Sequence, residues 1–174
     1  MKDPITVTDA LLDRIHLLPD DLIKLDQWGL GRNEDGRKIP CQSRPPYRRA
    51  KVNAPDEWGT FSEAVDAFAD RLGYADQFHW LAFLFTADDP FIGIDLDDCV
   101  VGDVIHPEAR KLIDALGGYS EVSPSGTGIK AWVTGKLPIP DGKTGETCVG
   151  PWGGKLEIYR ERRWFAVTGW RLDQ

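Results

Sequence analysis

The sequence predicts an α+β fold in which residues 76–174 form a lobe on one mainly antiparallel sheet, beside a smaller α/β lobe of residues 1–75. Three observations predict it. Helical spacing of apolar residues is confined to a few short segments, and short apolar runs bounded by Gly, Pro, Asn and Asp fill much of the remainder. From Phe91 onward the order reads strand, helix, strand, strand, loop, strand, strand. A chain of 174 residues that is 41% hydrophobic suffices for one sizeable core or for two small lobes sharing a cleft.

Taken in order, TDALLDRIHL (8–17) has helical spacing with Thr8 as N-cap, and LIKLDQWGLG (22–31) reads as a strand. The Gly-, Pro- and Arg-rich stretch 33–58 reads as a long functional loop. Thr60 or Ser62 caps a helix whose apolar face is Phe61, Ala64, Val65, Phe68, Ala69 and Leu72, ending near Gly73. WLAFLF (80–85) and FIGIDLDD (91–98) read as strands paired in a hairpin across the Asp88-Asp89-Pro90 turn. Pro107 and the following acid, with glycines after Leu116, predict a helix over 107–116. Strands come next at 119–122 and 129–135, then a flexible excursion over 138–154, and KLEIY with RWFAVTG as a final hairpin.

Composition narrows the chemistry. Cysteines at 41, 99 and 148 are odd in number and far apart, and His16, His79 and His106 are scattered, so neither a disulfide framework nor structural zinc is expected. Any metal should be a hard cation held by oxygen. No apolar run reaches the roughly 20 residues of a membrane span, and the start MKDPITVTDA lacks the blocks of a signal peptide, so a cytoplasmic protein is expected. The net charge of -7 argues against a protein that coats duplex DNA by charge alone. Yet residues 32–51 carry seven basic side chains against Glu34 and Asp35, a local +5 that leaves -12 elsewhere.

The most telling pattern is acidic. In a strand, residues i and i+2 face one side, so Asp95 and Asp97 project together while Ile94 and Leu96 turn to the core. Glu157 is a lone acid between Leu156 and Ile158, with Arg160, Arg162 and Arg163 close behind. Crowded carboxylates need a counter-ion, and two or three of them suit a divalent cation. An EF-hand does not fit, because Cys99, Val100 and His106 stand where it needs Asp or Asn, Gly and Glu. A Walker loop does not fit either, with Leu137 in place of the first glycine ahead of Gly142-Lys143-Thr144.

The segment SPSGTG supplies a second part. Gly126 and Gly128 free the backbone to turn N–H groups toward an anion, beside the hydroxyls of Ser123, Ser125 and Thr127, and Lys130 adds positive charge on the next strand.

Together QWGLGRNEDGRKIP, DEWGTFSEAVDAF, DDPFIGIDLDDCV, YSEVSPSGTGIKAWVTGKLP and LEIYRERRWFAVTG resemble the primase-polymerase domains of the archaeo-eukaryotic primase superfamily carried by phages, plasmids and other mobile elements. The resemblance runs from about Trp28 to Gly169. It implies a two-lobed fold with an RNA-recognition-like sheet in the catalytic lobe and the active site in the cleft between lobes. It further implies that Asp95, Asp97 and Glu157 are catalytic ligands of Mg²⁺ or Mn²⁺, and that Arg163 contacts the incoming nucleoside triphosphate. The family's second motif ends in histidine, and Lys130 stands there in this chain. Lysine binds phosphate as a point charge but does not shuttle protons near neutral pH.

The expected activity is template-directed nucleotidyl transfer in DNA replication, as a DNA primase, a DNA polymerase or both, by a two-metal mechanism. Its partners are single-stranded DNA template and primer, NTP or dNTP, and a helicase or helical domain of the same replicon. Trp28, Lys38, Arg48 and Arg49 are the candidates for strand contacts, by stacking and phosphate pairing. Two other readings stand beside it: a noncatalytic or weakened single-strand-binding homologue, and a metal-dependent nuclease or phosphoesterase using the same acids. The end at Gln174 fits a minimal enzyme or an excised domain.

Overall fold

The structure, a computed structural model, describes residues 11–70, 77–135 and 143–172. The expected cap at Thr8 and helix stop at Gly73 lie outside them. The chain divides into two compact units, Met1–Leu84 with Trp164–Gly169, and Phe85–Arg163 with Trp170–Gln174. The first division falls after Leu84. Among the described residues no helix is long and apolar enough to cross a membrane.

In chain order the elements of the first unit are α1 (Asp20–Ile23), β1 (Trp28–Glu34), β2 (Arg37–Cys41), α2 (Phe61–Ala69) and β3 (Trp80–Leu84). The second unit holds β4 (Phe91–Leu96), β5 (Val100–Val101), β6 (Val104–Ile105), α3 (Pro107–Leu116), β7 (Tyr119–Val122), β8 (Ile129–Thr134), β9 (Gly145–Val149) and β10 (Lys155–Tyr159). The chain then returns to the first unit as β11 (Trp164–Val167). The α+β class holds, with two antiparallel sheets, one in each unit, and a small β5–β6 ribbon.

The first sheet runs β11-β3-β1-β2. Its β1–β2 hairpin turns at Asp35 and Gly36, with φ of 50° and 80°. Two consecutive positive φ values match the right-handed twist of the flanking strands, and Asp-Gly reaches them at little cost. The turn and β2 lie inside the segment expected to be loop. The strand expected over 22–31 is likewise divided, since α1 takes its start and β1 opens only at Trp28. α2 begins at Thr60, whose hydroxyl accepts from Glu63 N–H while the Glu63 carboxylate accepts from Thr60 N–H. That capping box satisfies two otherwise orphaned donors. α2 packs on β1 and β3.

The second sheet runs β7-β8-β4-β10-β9. β4, α3 and β7 form a crossover, and β8 inserts antiparallel between the two strands. One face of this sheet gives Ile94, Leu96, Ile129 and Ala131 to a core completed by Ala109 and Ile113 of α3. Trimming Ile94 to alanine there should cost about 2–5 kcal/mol. α3 buries Ala109 and Ile113, an i, i+4 stripe, and keeps the boundaries expected from Pro107 and the terminal glycines.

Both expected hairpins give way. β3 pairs with β1 and β11, whereas β4 pairs with β8 and β10, so these successive strands lie in different sheets. β10 likewise pairs with β4 and β9, and β11 leaves it to join β3. In each case both edges of a strand are already taken by other partners.

Candidate active site

The site is built by register. In an antiparallel sheet, directly opposed residues put their side chains on one face with Cβ atoms about 4.5–5.5 Å apart. Across the second sheet Glu121 opposes Lys130, Lys130 opposes Asp95, Asp95 opposes Glu157, and Glu157 opposes Thr147. Five strands thus contribute one polar side chain each to a single row. Beyond Glu121 the backbone bridges to Arg171. The opposite face is the apolar one against α3.

Lys130 and Asp95 are only 7% and 9% exposed, and the Lys130 ammonium is ion-paired with Asp95 Oδ2. Such a buried pair offsets its own desolvation, and removing either partner would strand a charge. Asp95 Oδ1 is buried and has no hydrogen-bond partner among the described residues. A carboxylate oxygen left so is costly, and a cation would relieve it.

Asp97 stands two residues beyond Asp95, just past the end of β4, with its N–H donating to Lys155 O at 2.9 Å. Burial lifts its carboxyl above the usual range; the charges of Asp95 and Glu157 push the same way, against Lys130 and Lys155. Its backbone is tightly enclosed. The Trp152 indole donates to Asp97 O at 2.8 Å, a Cβ on Gly154 would overlap that same oxygen, and one on Gly128 would come within 2.7 Å of Leu96 O. Close approach explains glycine at both positions.

Glu157 lies among cations and a hydroxyl. Lys155 Nζ is 3.7 Å and Arg163 Nη2 4.0 Å from its carboxylate, and Thr147 Oγ1 donates at 3.5 Å. Arg163 is itself steadied, with its guanidinium 4.3 Å over the Tyr159 ring and Nη2 donating to Tyr159 Oη at 2.7 Å.

Hydroxyls rather than backbone N–H groups dominate the SPSGTG turn. Ser123 N–H and Gly126 N–H close the turn on Gly128 O and Ser123 O, so those two donors are spent. Ser123, Ser125 and Thr127 hydroxyls form a chain with spacings of 2.9 and 3.0 Å.

The proposed strand-contact residues lie in the first unit. Trp28 is 0% exposed, edge-on to Phe61 and Phe83, and its indole N–H donates to Leu22 O. No face of that ring is open to a base, so it belongs to the core. Lys38 lies 6.0 Å from the Trp80 ring centroid, Arg48 is exposed, and Arg49 pairs with Glu34. Arg32 also pairs with Glu34, Arg44 with Glu63 and Lys51 with Glu57, so much of the local +5 is countered by acids.

Among the described residues, no three His, Cys, Asp or Glu side chains are gathered as a metal-holding group. The donor chemistry nevertheless fits a hard divalent cation, through the orphaned Asp95 oxygen beside the carboxylates of Asp97 and Glu157.

No family model matches the chain. Over 154 residues, covering 87% of this chain, it is 34% identical to the DNA primase-polymerase of Nitratiruptor phage NrS-1. The chain resembles a phage-type primase-polymerase domain. It spans about a fifth of the length of that relative, as the aligned stretch covers 20% of it. The motif resemblance is thereby upheld over most of the primase-polymerase-like sequence. Reading residues in isolation missed Glu121, which is fully buried in the same row; the alternation of Tyr119 and Glu121 with Ser120 and Val122 was the available signal.

Proposed function

We propose that this chain is a catalytic domain that transfers nucleotides to a DNA strand under template direction, as primase, polymerase or both. The observation that carries the reading is the register: Asp95 stands opposite Glu157 on one face, with its Oδ1 lacking a partner among the described residues. The β4–α3–β7–β8–β10 path, with β8 between β4 and β7, supports an RNA-recognition-like catalytic lobe.

Asp95, Asp97 and Glu157 would hold Mg²⁺ or Mn²⁺, which would supply Lewis-acid activation of a 3′-hydroxyl and neutralise triphosphate charge. Lys130 and the hydroxyls of Ser123, Ser125 and Thr127 bind and orient the phosphates, with Gly126 and Gly128 shaping the turn that presents them. Arg163 offsets charge on the transferred group. Lys38, Arg48 and Arg49 attract the strand backbone as exposed cations.

The test is Mn²⁺-dependent incorporation on a primed single-stranded template by wild type and Asp95→Asn. Wild type should extend the strand, and the variant should lose at least about a hundredfold. Strand shortening would instead mark a nuclease.

A second reading, a noncatalytic single-strand binder, is favoured by one observation, the Lys130–Asp95 pair. Background incorporation by both proteins, with retained binding to single-stranded DNA, would select it.

A further inference from the structure

Two of the three acids are held by the ladder on both sides, Asp95 between β8 and β10 and Glu157 between β4 and β9. Asp97 lies past the last residue of β4, and the residue after it, Asp98, enters the left-handed region with φ of 54°. L-residues disfavour that conformation, so the backbone leaving Asp97 needs a restraint from outside β4. The β9–β10 connection supplies it. Lys155 O accepts from Asp97 N–H at 2.9 Å, and Trp152 Nε1–H donates to Asp97 O at 2.8 Å. These two bonds pin the planar peptide groups on either side of the Asp97 Cα, which fixes φ and ψ there and with them the direction in which the side chain leaves.

The connection is shaped around the indole. Gly150 N–H donates to Gly154 O at 2.8 Å and Gly153 N–H to Gly150 O at 2.9 Å, folding residues 150–154 into a tight turn. A Cβ on Gly150 would come within 2.5 Å of the Trp152 ring, and one on Gly154 within 2.7 Å of its Nε1. Glycine thus stands where the ring lies against its own loop, and the ring also packs on the apolar core of the second sheet.

We propose that Trp152 is a positioning residue for the candidate site: its indole N–H fixes the Asp97 backbone so that the carboxylate can share a divalent ion with Asp95 and Glu157. This rests on the metal-binding reading of the three acids. The ladder aligns two of the ligands, and the turn at 150–154 aligns the third, which the ladder does not reach.

The test is Mn²⁺ binding, read as free Mn²⁺ by electron paramagnetic resonance, on wild type, Trp152→Phe, Gly150→Ala and the double variant. An indole nitrogen carries one proton and accepts nothing, so Trp152→Phe deletes the bond and keeps an aromatic ring, whereas Gly150→Ala keeps the indole and displaces it. Each should weaken Mn²⁺ binding about tenfold, as loss of a group that orients a metal ligand does. The double variant should bind no more weakly than either single one, because both act through one bond. In strand extension the Mn²⁺ concentration at half-maximal rate should rise by the same factor, with the rate at saturating Mn²⁺ within about twofold of wild type. In EDTA, the amides of residues 97 and 98 should exchange faster in both variants while those of β4 stay protected. Should Trp152→Phe not fold, Gly150→Ala carries the comparison. Wild-type Mn²⁺ affinity in a folded variant, unchanged exchange at 97 and 98, or a loss confined to the saturated rate overturns the inference alone. No Mn²⁺ binding by wild type removes the metal-binding reading and the inference with it.

Discussion

Among single residues, the candidate site gathers charges whose proximity costs stability. Asp97 is lifted by burial first, then by Asp95 and Glu157. A carboxyl raised in the folded state contributes stability fully present below its unfolded pKa and lost as pH rises through the folded value. At neutral pH the ionised Asp97 therefore destabilises the metal-free protein. Asp97→Asn should raise the melting temperature in EDTA by a few degrees while removing Mn²⁺-dependent activity; an unchanged or lower melting temperature would contradict the assignment. The thiols give a second check. Burial pushes Cys99 up to about 11 and also raises Cys41, whereas Cys148 is exposed. At pH 8 a single cysteine should alkylate rapidly, and Cys148→Ser should abolish that phase. The acids at 95, 97 and 157 were legible because each interrupts apolar strand sequence. Trp28 was misread because a tryptophan in a strand looks alike whether it is a platform or core. The partnership of Lys130 with Asp95 was not legible, since register is a tertiary property.

At the scale of elements, glycines set what the strand ends can hold. A Cβ at residue 154 would collide with Asp97 O, and one at 128 would crowd Leu96 O. Gly154→Ala and Gly128→Ala should each lower incorporation by about a hundredfold, as a misplacement near 1 Å does, while the protein remains folded by circular dichroism. Gly36→Ala is the contrast. It strains a turn with φ of 80° and should cost roughly 1 kcal/mol in urea unfolding, leaving Mn²⁺ affinity unchanged. The Asp35-Gly36 pair was a hairpin signal in plain view, overlooked because the surrounding Arg and Pro residues resemble loop. α2 was legible from cap and period, α3 from Pro107 at its start and the glycines at its end. The two false hairpins came from adjacency, which says nothing of whether a strand's edges are already claimed.

At the scale of the molecule, the second unit is inserted between β3 and β11 of the first. The chain's last described stretch serves both: Phe165 and Val167 are buried beside β3, while Val122 N–H donates to Trp170 O and Leu172 N–H to Ser120 O. Truncation after Arg163 should therefore abolish the cooperative melt rather than trim a tail. No composition or periodicity foretold this return, because β11 reads like any apolar strand. On the proposed reading, Asp95, Asp97 and Glu157 share a divalent ion in a primase-polymerase-like site. A crystal grown with Mn²⁺ and nucleoside triphosphate, read by anomalous scattering, tests it most directly. A manganese peak touching those three carboxylates, with Lys130 off Asp95, is the predicted result; Lys130 still seated on Asp95 and manganese bound elsewhere would contradict it.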